Sequence, residues 1–434
     1  MLKRYLAVGF SVFLIGVIFA ARAQDGEEMS QPTIDAAVAT LIAQTQQPLA
    51  VTQTIQAALE QALTATAQAS TPPEPPATQQ PFDVENFSAG SATEIDLVAG
   101  PGRTGAYLSP DGERFAYLEA NALCIYAGSQ QQACVDISEI RQLDAESIRW
   151  SPDSRYLTMT ENFFVTFIDP DIWLLDAQGG TLANLTDDGV NRSNILTGDW
   201  RDIDLLPAWT DDGYIIFVRY ARVGDAPQPP GIYRIAADGS GETLLGTIDT
   251  GEDAFAIFTL DVWRDKLVYA YYAPGENPSN GIWISDLDGK NARQINRASK
   301  EAPVSAVELS PDGKYALYRV ESTALRGEYT PETSWMRVVE IDTGREILLD
   351  AERFVAGAGW SPYGSALVYT TYDALEQSGS VFLTDAPGKA GTLLLDGRFN
   401  VATGRLRQFF TWGTNNVILL SRSPQQGITL VGLE

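Results

Sequence analysis

Tyr107-Leu108-Ser109-Pro110-Asp111-Gly112 and Glu308-Leu309-Ser310-Pro311-Asp312-Gly313 are two copies of one phrase: an apolar residue, a tight turn, then an apolar run. Five further copies share it: Arg149-Trp150-Ser151-Pro152-Asp153-Ser154, Ala208-Trp209-Thr210-Asp211-Asp212-Gly213, Val262-Trp263-Arg264-Asp265, Gly359-Trp360-Ser361-Pro362-Tyr363-Gly364 and Thr411-Trp412-Gly413-Thr414-Asn415. The copy at Trp263 is degenerate and the last is partly so. The apolar position falls at 108, 150, 209, 263, 309, 360 and 412, with spacings from 42 to 59 residues. A recurring period of that size marks a repeat architecture.

Each turn is followed by a strand-like run, such as Arg114-Phe115-Ala116-Tyr117-Leu118 or Tyr214-Ile215-Ile216-Phe217-Val218. A second run then appears, such as Ile172-Trp173-Leu174-Leu175 or Val381-Phe382-Leu383, and a shorter one such as Thr243-Leu244-Leu245 or Ile347-Leu348-Leu349 closes the unit. These runs are β-branched and aromatic, and Gly, Pro and Asp bound them. Four strands in about 50 residues make a propeller blade. The expected fold is an all-β propeller of seven four-stranded blades, with six as the alternative. Asp-Gly turns suit it, because Gly takes the positive φ a tight hairpin needs and Asp tolerates it. The Trp before each turn would lie on the inner strand and pack between blades, the other reading being ligand contact.

The last unit has candidates for strands a, b and c, the third at Ile428-Thr429-Leu430-Val431, but none for strand d. Ahead of the first unit lies an orphan strand, Glu94-Ile95-Asp96-Leu97-Val98. It is expected to complete the last blade and close the ring, which removes open sheet edges.

The Ser-Pro-Asp-Gly turns at 109–112 and 310–313, with Asp286-Leu287-Asp288-Gly289-Lys290-Asn291-Ala292-Arg293-Gln294, resemble the WD40-like (PD40) repeats of the TolB-like β-propeller family. The resemblance covers about 104 to 434 and implies the fold. Related propellers occur in prolyl-oligopeptidase-type enzymes beside an α/β-hydrolase domain. Here no Gly-x-Ser-x-Gly elbow is present and no stretch remains for such a domain, so the peptidase activity is not implied.

Composition narrows the chemistry. The 434 residues include no histidine, which excludes Ser-His-Asp and Cys-His pairs and imidazole metal sites. The formal charge of −26 argues against nucleic acid as a partner, since phosphate binders need clustered cations. Met1-Leu2-Lys3-Arg4, an uncharged run to Ala21 and Ala21-Arg22-Ala23 read as a signal peptide cut after Ala23. The alternative is an uncleaved membrane anchor. Residues 24–81 contain no Lys or Arg. They read as an Ala/Thr/Gln-rich helical stalk ending in the Pro-rich linker Thr71-Pro72-Pro73-Glu74-Pro75-Pro76, either a spacer or an oligomerising element. The domains expected are therefore 1–23, 24–81 and a propeller over 82–434. The localisation expected is extracytoplasmic, secreted or cell-surface.

Cys124 and Cys134 flank Gly128-Ser129 in a strand-turn-strand pattern. If the hairpin pairs around residue 129 they lie opposite each other, where a disulfide forms in an exported chain, and free thiols are the alternative. The pairs Asp169/Asp171, Asp202/Asp204 and Asp286/Asp288 fit no calcium-loop pattern, so neither a metal nor another cofactor is expected. In a four-stranded meander the a–b and c–d turns share one face, and the b–c and d–a loops share the other. The long segments, Asn162 to Pro170, Tyr220 to Gly231, Ala273 to Gly281, Glu321 to Trp335, Tyr372 to Ser380 and Asp187 to Leu206, all fall on the second face. Variable loops on a rigid scaffold carry binding sites. Asp199, Trp200, Arg201, Asp202, Tyr329 and Trp335 are the anchor candidates there. The function expected is a non-catalytic scaffold binding a protein, peptide or glycan. The alternatives are a stalk-assembled structural component and a carboxylate-based glycoside hydrolase or lyase.

Overall fold

The computed structural model describes residues 89–95, 105–119, 121–163, 167–189, 202–223, 226–251, 255–273, 275–299, 302–320, 329–373, 379–396, 411–421 and 428–434. The signal peptide, the stalk, Asp199, Trp200 and Arg201 lie outside the described residues.

The repeated turn is built by its own side chains. Ser109 Oγ donates to Asp111 Oδ1 at 2.5 Å and accepts from the Arg114 amide at 3.0 Å. The same Ser/Thr-to-Asp bond forms at Ser151–Asp153, Thr210–Asp212 and Ser310–Asp312. These bonds supply a turn that reverses the chain without a partner from elsewhere. Gly313 shows why the fourth position is restricted: its φ is +71°, and an added Cβ would come within 2.4 Å of the Trp263 ring. Ser154 takes the same conformation in blade 2, with φ 58°. Its backbone carbonyl accepts from Arg114 Nη2 at 2.5 Å, so the turn of blade 2 is tied to that of blade 1.

Seven antiparallel sheets result. Strands a, b, c and d of blade 1 are Ala106–Leu108, Phe115–Glu119, Ala122–Ala127 and Gln130–Asp136. In blade 2 they are Arg149–Trp150, Tyr156–Thr160, Ile172–Asp176 and Thr181–Asn184. In blade 3 they are Asp202–Trp209, Tyr214–Val223, Gly231–Ala236 and Thr243–Thr247. Blade 4 uses Ile257–Trp263, Lys266–Tyr271, Gly281–Asp286 and Arg293–Arg297. Blade 5 uses Val304–Leu309, Tyr315–Val320, Met336–Glu340 and Glu346–Ile347. Blade 6 uses Val355–Trp360, Leu367–Thr371, Val381–Thr384 and Thr392–Leu395. Blade 7 takes strands a to c from Thr411–Trp412, Val417–Ser421 and Ile428–Leu433, and its fourth strand is Ala89–Ile95 from the other end of the chain.

That last pairing is the expected ring closure. Ile95 pairs with Ile428, Thr93 with Leu430 and Ala92 with Val431. The closing strand begins earlier than the orphan run suggested. Blade 3 also departs from the simple unit: a short segment, Ala226–Pro227, folds back on the end of strand b. The stretch from Asp202 to Leu206, read as loop from sequence, is the start of strand a of blade 3. Ile203 and Leu205 enter one apolar layer while Asp204 between them is buried against Arg219, which is strand periodicity with both faces covered, interrupted by a bulge before Ala208.

The core is a ring of layers between blades. Phe217 and Ile215 of blade 3 pack with Ile172 and Leu174 of blade 2. Leu260 and Leu267 of blade 4 pack with Ile216 and Val218 of blade 3. The tryptophans join these layers by hydrogen bonds as well as by area. Trp150 Nε1 donates to the carbonyl of Tyr107 at 2.9 Å, Trp209 to that of Arg149 at 3.2 Å, and Trp360 to that of Glu308 at 3.3 Å. In each case the acceptor is the residue before the apolar position of the preceding blade. Buried or half-buried indoles that bond across the blade boundary are packing residues. Trp263, in the degenerate blade 4, bonds the other way, to the carbonyl of Pro311 in blade 5 at 2.9 Å. Arg149 on the inner strand of blade 2 reaches past blade 3 to Asp261 on the inner strand of blade 4, Nη1 to Oδ1 at 3.1 Å. The other oxygen of Asp261 accepts from the Leu309 amide of blade 5 at 3.0 Å. One inner carboxylate thus ties three blades together.

Candidate functional site

The b–c and d–a loops of blades 5 and 6 bring four aromatic rings together on the long-loop face. Trp335 and Tyr329 come from the b–c segment of blade 5, and Tyr372 follows strand b of blade 6. Phe354 stands just before strand a of blade 6. Backbone bonds fix the arrangement: the Trp335 amide donates to Val355 O at 3.1 Å and the Tyr372 amide to Phe354 O at 3.0 Å. The buried Ser334 Oγ accepts from the Val355 amide at 2.9 Å. Tyr329 meets Phe354 at 5.1 Å and Tyr372 at 4.8 Å between ring centroids, and Trp335 meets Phe354 at 5.3 Å, all edge to face. This is the geometry the aromatic quadrupole favours. The Arg319 guanidinium lies 5.9 Å from the Trp335 ring centre, a cation–π contact.

Phe354 is buried, whereas Tyr329 is 37% exposed, one of three large apolar side chains exposed to that degree among the described residues. The other two, Leu244 and Leu393, lie on outer strands. Burial raises the Tyr372 hydroxyl above its ordinary range, helped by Tyr329 and by the nearby Asp373 charge, so Tyr372 is a neutral donor at physiological pH. The cluster therefore presents half-open rings and phenolic hydroxyls on a rigid base. Sequence reasoning named Tyr329 and Trp335 but not Phe354 and Tyr372. Those two flank strand ends in blade 6, and only the docking of blade 6 on blade 5 puts them beside Trp335.

The structure also brings together two aspartate pairs that are distant in sequence. Asp171, just before strand c of blade 2, stands near Asp204 of blade 3, whose amide donates to the Pro170 carbonyl at 3.1 Å, and Asp169 beside them is buried too. Asp204 is fully buried and takes a two-point ion pair from Arg219, at 2.6 and 2.8 Å. Arg219 turns its remaining contacts to Glu242 at 2.8 Å and over the Tyr233 ring at 4.6 Å. Asp202, one of the anchor candidates, stands 3.9 Å from the same guanidinium. Burial works against the charge on Arg219, but Asp204 and Glu242 outweigh it and hold the guanidinium above its ordinary pKa. Burial pushes Asp204 up to about 6 against the pull of Arg219. It pushes Asp171 up to about 7, against the Asn184 bond at 2.8 Å and with the added repulsion of Glu161, Asp204 and Asp188. Glu161 accepts from the Asp171 amide and from Trp173 Nε1, both at 3.1 Å. These raised carboxyls are engaged by the protein's own groups, and the network acts as an interior joint between blades 2 and 3.

Other candidates settle into structural roles. Asp286 accepts from Lys266 at 2.5 Å, and Asp288 from the Lys290 ammonium at 2.5 Å and the Lys290 amide at 3.0 Å, and both are held below the usual carboxylate range by those bonds, the turn chemistry expected for them. Cys124 and Cys134 pair directly across strands c and d of blade 1 and form a disulfide.

No family model matches the chain and no curated protein matches it. Solved structures do. An oligogalacturonate lyase from Vibrio parahaemolyticus is 13% identical, with a TM-score of 0.50 over 80% of this chain and 96% of that one. A putative TolB from Agrobacterium tumefaciens is 17% identical, with a TM-score of 0.37 over 57% and 80%. A β-propeller domain from Myceliophteria thermophila is 11% identical, with a TM-score of 0.45 over 78% and 99%. At 13% identity the likeness to the lyase is one of fold. With seven four-stranded meander blades, and the first and last described strands paired in one sheet, the chain folds as a seven-bladed β-propeller.

Proposed function

We propose that this protein is an exported, non-catalytic propeller that binds a protein, peptide or glycan partner through the long-loop face of blades 5 and 6. The observation that carries the reading is the cluster of Tyr329, Trp335, Phe354 and Tyr372: rings fixed edge to face, with Tyr329 open to solvent. Rigid aromatic anchors contribute most of the binding energy at interfaces, because they bury large areas at low entropic cost. The disulfide supports an oxidising compartment, as the signal-like residues 1–23 do. No helix among the described residues is long and apolar enough to cross a membrane. Residues 24–81 would act as a spacer that holds the propeller away from its point of attachment.

The test uses residues 82–434, probed on peptide and glycan arrays beside a Tyr329→Ala/Trp335→Ala variant and a Leu244→Ala/Leu393→Ala control. The reading expects signals that the control keeps and the first variant loses, with unchanged melting of both. Signals retained by the Tyr329/Trp335 variant would overturn it.

A further inference from the structure

The boundary between blades 2 and 3 is built unlike most of the others. On the tight-turn face, bonds between adjacent turns run around much of the ring. The Asp111 amide donates to Ser154 Oγ at 3.0 Å between blades 1 and 2, and Ser365 Oγ to Asp312 Oδ2 at 2.5 Å between blades 5 and 6. The Tyr363 hydroxyl donates to the Thr414 carbonyl at 2.7 Å between blades 6 and 7, and the Thr414 amide to the Pro110 carbonyl at 2.8 Å between blades 7 and 1. The turn of blade 3 takes no part: among the described residues, the bonds of residues 210–213 stay within their own hairpin. Arg149 of blade 2 passes this blade to reach blade 4. The apolar layer is also thin. Ile172, Leu174, Ile215, Phe217 and Ile235 are its buried members, fewer than between blades 1 and 2 or blades 4 and 5.

Toward the long-loop face, buried polar groups hold the two blades instead. Thr160 Oγ1 donates to the Asp204 carbonyl at 3.2 Å, and the Asp204 amide to the Pro170 carbonyl. Asp171 sits in this seam, 4% exposed. The elements around it bring polar and acidic groups: Asp169 on its own segment, Glu161 after strand b, Asn184 on strand d, Thr186 and Asp188 beyond it, and Asp204 from blade 3. Arg219 serves Asp204 and Glu242, with Asp202 at its edge, and leaves Asp171 without an ion pair. Burial and the neighbouring acids both work against a charge on Asp171, so the neutral acid is the form that fits the closed seam. Its carboxyl is accordingly pushed up to about 7, burial being the largest cause.

We propose that the boundary between blades 2 and 3 is a pH-controlled hinge: a proton on the Asp171 carboxyl keeps the two blades closed, and its release to solvent lets the ring open at that boundary. The direction follows from the sign of the shift. The open form ionises as an ordinary carboxyl and the closed form only near pH 7, so closure is favoured at acid pH and lost as pH rises through 7. The thin apolar layer and the unclasped turn of blade 3 make this the boundary where one ionised carboxyl decides the balance. The inference goes beyond the binding reading and uses none of the aromatic cluster.

Hydrogen exchange of the full chain, read by mass spectrometry at pH 5.5 and pH 8 and corrected for the chemical exchange rate, tests it. Peptides covering Tyr156–Thr160, Ile172–Asp176 and Asp202–Trp209 are expected to lose protection at least about tenfold at pH 8, the linkage of one proton. Peptides covering Val355–Trp360 and Leu367–Thr371 of blade 6 are expected to keep theirs. Asp171→Asn, which carries the neutral form at every pH, is expected to reduce the loss to less than about threefold. Asp286→Asn, in an exposed turn, is expected to leave it as in the parent. No loss in blades 2 and 3, an equal loss in blade 6, the full loss retained in Asp171→Asn, or failure of that neutral variant to fold would each overturn the proposal.

Discussion

Ring closure rests on one strand, and Ile95 is its buried anchor, 5% exposed and packed in the layer that holds Ile428, Val431 and Leu433. Ile95→Ala removes three carbons from a site whose neighbours are held by strands on both sides. Such a buried deletion costs about 2–4 kcal/mol. If residues 89–95 were an unattached tail, the same change would cost nothing. For a domain of this size the loss lowers a urea midpoint by about 1 M. The assay is urea unfolding followed by tryptophan fluorescence, on chains beginning at Phe82. A companion chain beginning at Gly102 lacks the whole strand and leaves Ile428–Leu433 as an open edge. It is expected to unfold earlier still and to aggregate with rising concentration, because an unpaired edge recruits strands from other copies. Unchanged midpoints for Ile95→Ala and for the Gly102 chain would refute the closure argument.

Four further outcomes are expected. Asp171 is raised to about 7 in the fold, so between about pH 4 and pH 7 the folded chain holds a proton that the unfolded chain has released. Its stabilising share is complete below pH 4 and is lost as pH rises through 7, so Asp171→Asn should gain stability relative to the parent across that window, by up to about 1.4 kcal/mol per pH unit. A parent–variant difference that does not change with pH refutes this, and melts from pH 4 to 8 measure it. Arg219→Ala leaves Asp204 buried without its cation and should cost about 3–5 kcal/mol in urea unfolding, against much less for Arg155→Ala, whose pair with Asp176 is half exposed. Gly313→Ala forces a left-handed backbone on alanine against the Trp263 ring, and should cost about 1–3 kcal/mol where Gly213→Ala, with open space, costs less. Replacing Cys124 and Cys134 by Ala should cost about 2–3 kcal/mol, and a non-reduced digest of the parent should yield one linked peptide.

The propeller was legible because its repeat is written in local chemistry. Ser109, Asp111 and Gly112 make a turn by themselves, as do Ser310, Asp312 and Gly313, so their recurrence marks the blades without any tertiary contact. The pairing of Cys124 with Cys134 was legible for the same reason, since one hairpin sets both positions. The face that carries the aromatic cluster could be named from loop lengths, and two of its rings, Tyr329 and Trp335, from residue type. Phe354 and Tyr372 could not, since each reads as an ordinary core aromatic until blade 6 docks on blade 5. Asp169, Asp171, Asp202 and Asp204 looked like two loop pairs. Folding buries Asp169, Asp171 and Asp204, pairs Asp204 with Arg219 and leaves Asp202 at the edge of that pair, and the alternation of Ile203 and Leu205 was the only clue that the segment of Asp202 and Asp204 was strand.

The sequence alone determined what depends on neighbours along the chain: turns, strand periodicity, the four-stranded repeat, the disulfide hairpin and the absence of histidine chemistry. Tertiary structure decided what depends on groups from different blades. The Arg149–Asp261 bridge, the joint at Asp204 and the aromatic cluster all join residues of separate blades. The reason is range: a turn closes over a few residues, whereas a site between blades exists only when closing the ring has fixed its distances.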